Sequence, residues 1–179
     1  FRSQGAKLAL AEKVIEFQGE DGKVTKVITD KGSYEADMVI LSVGFRPNTE
    51  IFKGQLEMLP NGAIQVDPYM RTSHPDVLAA GDCCSVLYNP TGEYAYIPLA
   101  TNAVRMGTLA GINLQENKIA HPGTQGTSGI KIYENNLAST GLTEMEARRK
   151  GINIDSVTIV DNYRPEFMPT YEEVTRKIV

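Results

Sequence analysis

The run Thr72-Ser-His-Pro-Asp-Val-Leu-Ala-Ala-Gly-Asp82 holds more chemistry than any other stretch of the chain. Residues 77–80 are a short apolar run of the kind that builds a buried strand, and the run stops at Gly81-Asp82. Gly81 has no Cβ, so another molecule can lie against its backbone, and Asp82 sets a carboxylate at the strand's carboxyl end. Ligands of open α/β sheets bind at that end. Taken alone, a Gly-Asp pair after a strand marks a turn more often than a site. Pro98-Leu-Ala-Thr101 carries a second kind of chemistry. Pro is at home in a first helical turn, and the amides and dipole of a helix N-terminus favour negative charge beside them.

Other reactive residue types read as structural. The two cysteines, Cys83 and Cys84, are adjacent, a spacing whose geometry rarely permits a disulfide. They follow a buried strand and are expected to pack as small hydrophobes. His74 and His121 each stand beside a proline without metal-ligand spacing, which makes them surface loop residues and leaves no metal site.

Positioning Gly81-Asp82 requires a sheet and a helix. The pattern predicts strands over 8–17 and 24–29 around the turn Asp21-Gly22, then 33–36 after Lys31-Gly32, and a continuous apolar central strand over 37–43 that ends at Gly44. Further strands are expected over 63–66 and 77–80. Pro98 opens the strongest helix, on which Ala100, Ala103, Gly107, Ala110 and Leu114 share one face of small residues suited to close approach by a sheet or cofactor. The Gly-, Ser- and Thr-rich stretch 119–128 reads as a linker. Beyond it lie strands over 130–133 and 137–140, a capping box Thr143-Glu-Met-Glu146 opening a short helix, Gly151 closing it, and a strand over 154–160. The last residues carry a helical pattern.

Composition excludes several classes. Of 179 residues 41% are hydrophobic and the net charge is -4, with acids and bases interspersed, so neither a nucleic-acid surface nor a charged tail is indicated. No run reaches membrane-spanning length and no signal peptide opens the chain, so no membrane is expected; with no disulfide framework, a reducing cytoplasm is the expected location. The chain starts at Phe1 without an initiator Met, and is read as an internal piece of a longer protein.

Thr72, Pro75, Val77, Ala79, Ala80, Gly81 and Asp82 fit in order the second flavin-binding motif of the flavoprotein disulfide reductases, and the stretch Tyr96-Ile-Pro-Leu-Ala-Thr-Asn-Ala-Val-Arg-Met-Gly107 narrows the resemblance. The chain resembles the pyridine nucleotide-disulfide oxidoreductases, in the branch of NADH oxidase, NADH peroxidase and coenzyme A disulfide reductase. The fold implied is α/β. Residues 1–45 would be the end of a Rossmann-like NAD(P)-binding domain, 46–118 the second segment of the FAD-binding domain, 119–128 a linker and 129–179 the start of an α+β dimerisation domain. The resemblance implies that Gly81 and Asp82 bind FAD, with Asp82 accepting hydrogen bonds from the ribityl chain in a buried setting. Pro98, Leu99, Ala100 and Thr101 would lie beside the isoalloxazine ring, where a helix N-terminus stabilises the anionic reduced flavin. Val43-Gly-Phe-Arg-Pro-Asn48 resembles the segment closing the NAD domain, so Gly44 would pass the nicotinamide nucleotide; the plainer reading is a strand-ending glycine.

No G-x-G-x-x-G occurs in the chain; both fingerprints of the family, and its redox-active cysteine, would precede Phe1, so no catalytic residue is assigned here. The implied activity is that of an FAD-dependent NADH oxidase, a cytoplasmic homodimer passing hydride from NADH through flavin to dioxygen. Arg164-Pro-Glu-Phe-Met-Pro169 points toward the oxidases. NADH peroxidase, acting on peroxide, and coenzyme A disulfide reductase are the alternatives within the family. An alternative of another class is a catalytically inert dimerisation or interaction fragment.

Overall fold

The computed structural model describes residues 1–179 and divides into two units, Phe1–Gly44 and Phe45–Val179. The first is an antiparallel meander of β1 (Val14–Glu20), β2 (Lys23–Thr29) and β3 (Ser33–Glu35), in that order. Its first turn follows from Asp21-Gly22, whose φ angles of 49° and 75° are those of a two-residue hairpin turn with both central residues left-handed. Strand β1 starts at Val14 rather than at residue 8, because Ala11 takes a φ of 56° in a turn that breaks the run.

The expected central strand over 37–43 does not form. Those residues adopt no regular structure, and Met38, Ile40 and Val43 are 76%, 82% and 91% exposed. An apolar strand of this type needs a neighbour on each edge to satisfy its backbone, and no strand of the chain pairs with it.

The core of the second unit gathers Ile64, Val66, Met70, Cys84, Val86, Met106 and Leu109. It is built largely from irregular chain. The expected strands over 63–66 and 77–80 reduce to isolated bridges, Ile64 with Met58 and with Cys84, and Leu78 with Arg71. With bridges only at single residues, neither run extends into a ladder, and residues 77–80 stay half-buried. A hairpin absent from the expectations, β4 (Val86–Tyr88) with β5 (Glu93–Ala95), follows, turned by Asn89-Pro-Thr-Gly92.

Helix α1 covers Ala100–Ile112, with Leu99 as its N-cap and Pro98 just outside. Its buried stripe is Asn102, Met106 and Leu109. Met106 is 2% exposed, and its truncation to Ala would cost about 2–5 kcal/mol. The small face expected to make the close contact lies at the flank of this stripe, about a quarter-turn round at 100° per residue. Ala103 and Ala110 on it are half-buried, while Ala100, Gly107 and Leu114 are exposed. Long side chains at 106 and 109 reach the core, so they, not the small residues, set the helix's orientation. Buried Asn113 ends the helix: its side chain accepts from the amides of Lys118 and Ile119 at 2.9 and 3.0 Å and donates to Ile119 O at 2.8 Å.

Beyond it, β6 (Ser128–Ile132) pairs with β7 (Asn135–Ser139), and α2 (Glu144–Arg149) follows with its expected cap, the Glu146 amide donating to Thr143 Oγ1 at 3.2 Å. Then β8 (Val157–Asn162) pairs antiparallel with β9 (Glu173–Ile178). The helical pattern read at the end of the chain is therefore a strand. Val174 and Ile178 at four-residue spacing suit a helix face and one face of a strand alike, and the ladder to β8 decides between them.

Candidate functional site

Gly81 sits at φ 93°, where an L side chain is strained, and a Cβ placed on it would stand 3.9 Å from Cβ of Ala103 on α1. The turn after residues 77–80 and the first turns of α1 are thus packed together. Tyr96, just before Ile97 and Pro98, lies within electrostatic reach of Asp82 and Cys83. Its phenol is pushed above the usual range by burial, and further by the negative charge of Asp82 and by Cys83. Asn102, 6% exposed, donates from Nδ2 to Ile97 O at 3.2 Å and so fixes the approach of Pro98 to the helix.

No side chain caps α1. The helix's first internal bond runs from Ala103 N to Leu99 O at 2.9 Å, so the amides before it face outward for another acceptor. Asp82 is exposed, not buried as expected, and no protein group donates to its carboxylate. An exposed carboxylate keeps its water and pays no desolvation cost, which is why this position tolerates it without partners. An outward carboxylate with acceptor capacity, a glycine backbone without a side chain and an uncapped helix start suit a ligand that carries hydrogen-bond donors and a negatively charged group.

Grooves border this surface. One of about 570 Å³ runs along α1 past Ala100, Thr101, Val104, Arg105 and Thr108. A more polar one of about 340 Å³ lies between Thr101, Asn102 and Arg105 on the helix and Gly123, Thr124 and Gln125. Gly44 belongs to the other unit, has a φ of 91°, and would meet nothing within 4 Å if it carried a Cβ.

Cys84 is buried in the core, as a small hydrophobe would be, and Cys83 is half-buried beside it. Their sulfurs stand 3.4 Å apart, and Cys83 Sγ donates to Ala80 O at 3.4 Å. The Cys84 thiol donating to Cys83 lowers Cys83 to about 6 against the opposing effect of burial, while the same bond and burial push Cys84 up. His74 is exposed as expected, but His121 is buried at 6% exposure. Its amide donates to Pro68 O at 2.7 Å and its Nδ1 accepts from Gly123 N at 3.0 Å. Burial, then the charge of Arg105, lowers its pKa. A histidine flanked by Ala and Pro carries no local sign of this burial, because Pro68, which receives its amide, stands some 50 positions earlier in the chain.

The sequence profile of the pyridine nucleotide-disulphide oxidoreductases matches residues 1–107. An NADH oxidase of Enterococcus faecalis is 54% identical over 177 residues, which is 98% of this chain and 40% of that protein. A CoA-dependent NAD(P)H sulfur oxidoreductase of Pyrococcus furiosus is 38% identical over 97% of this chain and 39% of its own length. Among solved structures, a water-forming NADH oxidase from Lactobacillus brevis bound to NADH superposes with a TM-score of 0.93 at 50% identity, covering 98% of this chain and 39% of that one. The chain spans about 40% of the length of the curated relatives it matches.

Proposed function

The chain belongs to the pyridine nucleotide-disulphide oxidoreductase family, and on that premise we propose that it is the later part of an FAD-dependent NADH oxidase. The observation that carries this reading is the packing of Gly81 against Ala103, which puts the Gly81-Asp82 turn and the uncapped start of α1 on one surface. The identity with NADH oxidases over nearly the whole chain supports the same assignment.

The residues present fit the flavin. Asp82 has acceptor capacity free for ribityl hydroxyls, Gly81 leaves room for the ligand's edge, and Pro98, Leu99, Ala100 and Thr101 present helix-terminal amides to the electron-rich side of the ring. When bound, FAD supplies acceptance of a hydride from NADH and delivery of electrons onward. This chain's own residues hold and orient the cofactor and stabilise negative charge near the amides of α1. Gly44, without a Cβ and with open space beside it, is proposed to let the nicotinamide nucleotide pass close to the backbone.

The domain reading follows: residues 1–45 from a nucleotide domain, 46–118 from the flavin domain, and 129–179 from a dimerisation domain of a cytoplasmic homodimer. The exposed apolar residues of β6 to β9, among them Ile130, Leu137, Val157 and Ile159, support a covered face. No helix is long and apolar enough to cross a membrane. The test is the whole gene product purified with its flavin and supplied with NADH and dioxygen. Consumption of both with little peroxide released supports the oxidase. Turnover only on added peroxide would move the assignment to a peroxidase, and turnover on coenzyme A disulfide to the reductase. A colourless protein that neither binds FAD nor consumes NADH would leave the inert interaction module.

A further inference from the structure

Ser85 is fully buried, immediately before β4, and His121 is buried where the chain returns from α1. Ser85 Oγ and His121 Nε2 are the buried side-chain polar atoms that have no hydrogen-bond partner in the protein. Both line one cavity of about 10 Å³, together with Asp67, Pro68, Met70 and Tyr94. Two orphaned polar groups on residues that line one small space call for a common partner, since each would otherwise be left desolvated and unpaired.

We propose that this cavity is the site of a single structural water that joins Ser85, His121 and Asp67. A buried water needs a space of roughly 10–15 Å³ and two to four polar neighbours; the cavity reaches the lower bound of that space, and Ser85, His121 and Asp67 supply polar groups in a lining otherwise largely apolar, with Val66, Val86 and Leu87. The hydrogen-bonding sense of the lining selects the occupant. His121 Nδ1 accepts from Gly123 N at 3.0 Å, so the ring's proton lies on Nε2, a buried donor without a protein partner. A donor directed at the site repels a metal cation. Asp67, whose Oδ1 already takes the amides of Tyr69 and Arg71 at 2.8 and 2.9 Å, repels an anion. A water accepts from Nε2–H, donates toward Asp67 and exchanges either role with the Ser85 hydroxyl.

The water acts as a clamp on the segment between α1 and β6. That segment is already stitched at its backbone, His121 N to Pro68 O at 2.7 Å and Thr124 N to Leu87 O at 2.8 Å. The water adds a side-chain tie from the same segment to the core and reinforces the His121 tautomer that the Gly123 contact sets. This places the residues that border Arg105 in the polar groove.

The test is NMR of the full chain labelled with 15N at histidine. The expected result is a slowly exchanging His121 Nε2–H with a cross-peak to a water whose residence exceeds molecular tumbling. Ser85→Ala removes one of the water's partners and should speed exchange of that proton tenfold or more. An Nε2–H with no water cross-peak, a proton found on Nδ1, or a bond passing directly from His121 to Ser85 would overturn the proposal. So would an exchange rate unchanged by Ser85→Ala in a folded variant. The unsubstituted chain decides the matter even where the variant does not fold.

Discussion

Gly81 and Ala103 meet across the candidate flavin surface, an added Cβ on the first lying 3.9 Å from the Cβ of the second. The distance is ordinary van der Waals contact, so space is not what keeps Gly81 a glycine. Its φ of 93° is. Gly81→Ala should therefore cost about 1–2 kcal/mol through backbone strain alone. Urea unfolding of the chain measures it, and an unchanged midpoint would mean that the turn relaxes freely and does not hold the site.

Gly107 gives the opposite expectation. It lies inside α1, exposed, and a Cβ there would meet nothing within 4 Å. Gly107→Ala should stabilise the chain by roughly 0.5–1 kcal/mol through helix propensity, and Gly107→Leu should be tolerated as well. In the flavin-loaded whole protein the same Leu stands on the small-residue face and should reduce FAD retention if that face meets the cofactor. Thermal melts of the chain beside flavin content of the whole protein separate the two effects. A large loss of chain stability on Gly107→Leu would show this face to be packed.

These two positions also show what the sequence carried. The Asp21-Gly22 hairpin, the capping box at Thr143 and the start of α1 were legible because each is set by residues adjacent in the chain. The candidate residues Gly81 and Pro98 to Thr101 come from the motif alone; the structure adds that Gly81 stands close to Ala103 of α1. The strands over 37–43 and 77–80 were misread because an apolar run states only that it can be buried, while a ladder needs partners that the chain does not supply there. The helix face was misread because small residues mark close approach but long ones, Met106 and Leu109, decide which side faces the core. The burial of His121 escapes the sequence because it depends on packing against Pro68, far back in the chain, while the His121 ring and the Asn113 side chain bond to amides only two to six residues away.

Asp82 is exposed and bonds to no protein group, so Asp82→Ala should leave folding unchanged within about 0.5 kcal/mol. In the whole protein the loss of charged hydrogen bonds to the flavin should cost about 1.5–3 kcal/mol of FAD binding, roughly 10- to 150-fold. Fluorescence titration with FAD reads this directly. Equal affinity in wild type and variant would remove Asp82 from the site.

Cys83 should be the nucleophilic thiol of the pair. It is the more exposed, and the hydrogen bond with Cys84 lowers it to about 6, against the opposing effects of burial and of the Asp82 charge. Alkylation should modify Cys83 alone in the folded chain, with a rate that climbs through pH 6 and levels above it. Cys84→Ala removes the donor and should move that midpoint up toward the ordinary thiol range. Peptide mass mapping after a brief iodoacetamide pulse identifies the modified residue, and equal labelling of Cys83 and Cys84 would contradict the arrangement.

Glu144 joins α2 to β9. Its carboxylate pairs with Lys177 of that strand and accepts from Arg148 Nε and Nη2 at 2.9 and 2.8 Å. Lys177 first, then Arg148, lowers its pKa from 4.5 to about 2. A carboxyl group whose folded value lies below its unfolded one adds stability above the unfolded value and loses it as the pH falls through the folded one. The contribution is thus complete above pH 5 and fades between about pH 4.5 and 2. The Glu144 side chain is 23% exposed and that of Lys177 50%, so salt should screen the pair. Glu144→Gln should flatten the stability profile across that acid window and remove part of its salt dependence, with little change in the hairpin β6–β7. Chemical unfolding at pH 3 and pH 6, each at low and high salt, checks all of this, and a variant whose acid sensitivity equals wild type would show that the pair does not hold α2 to β9.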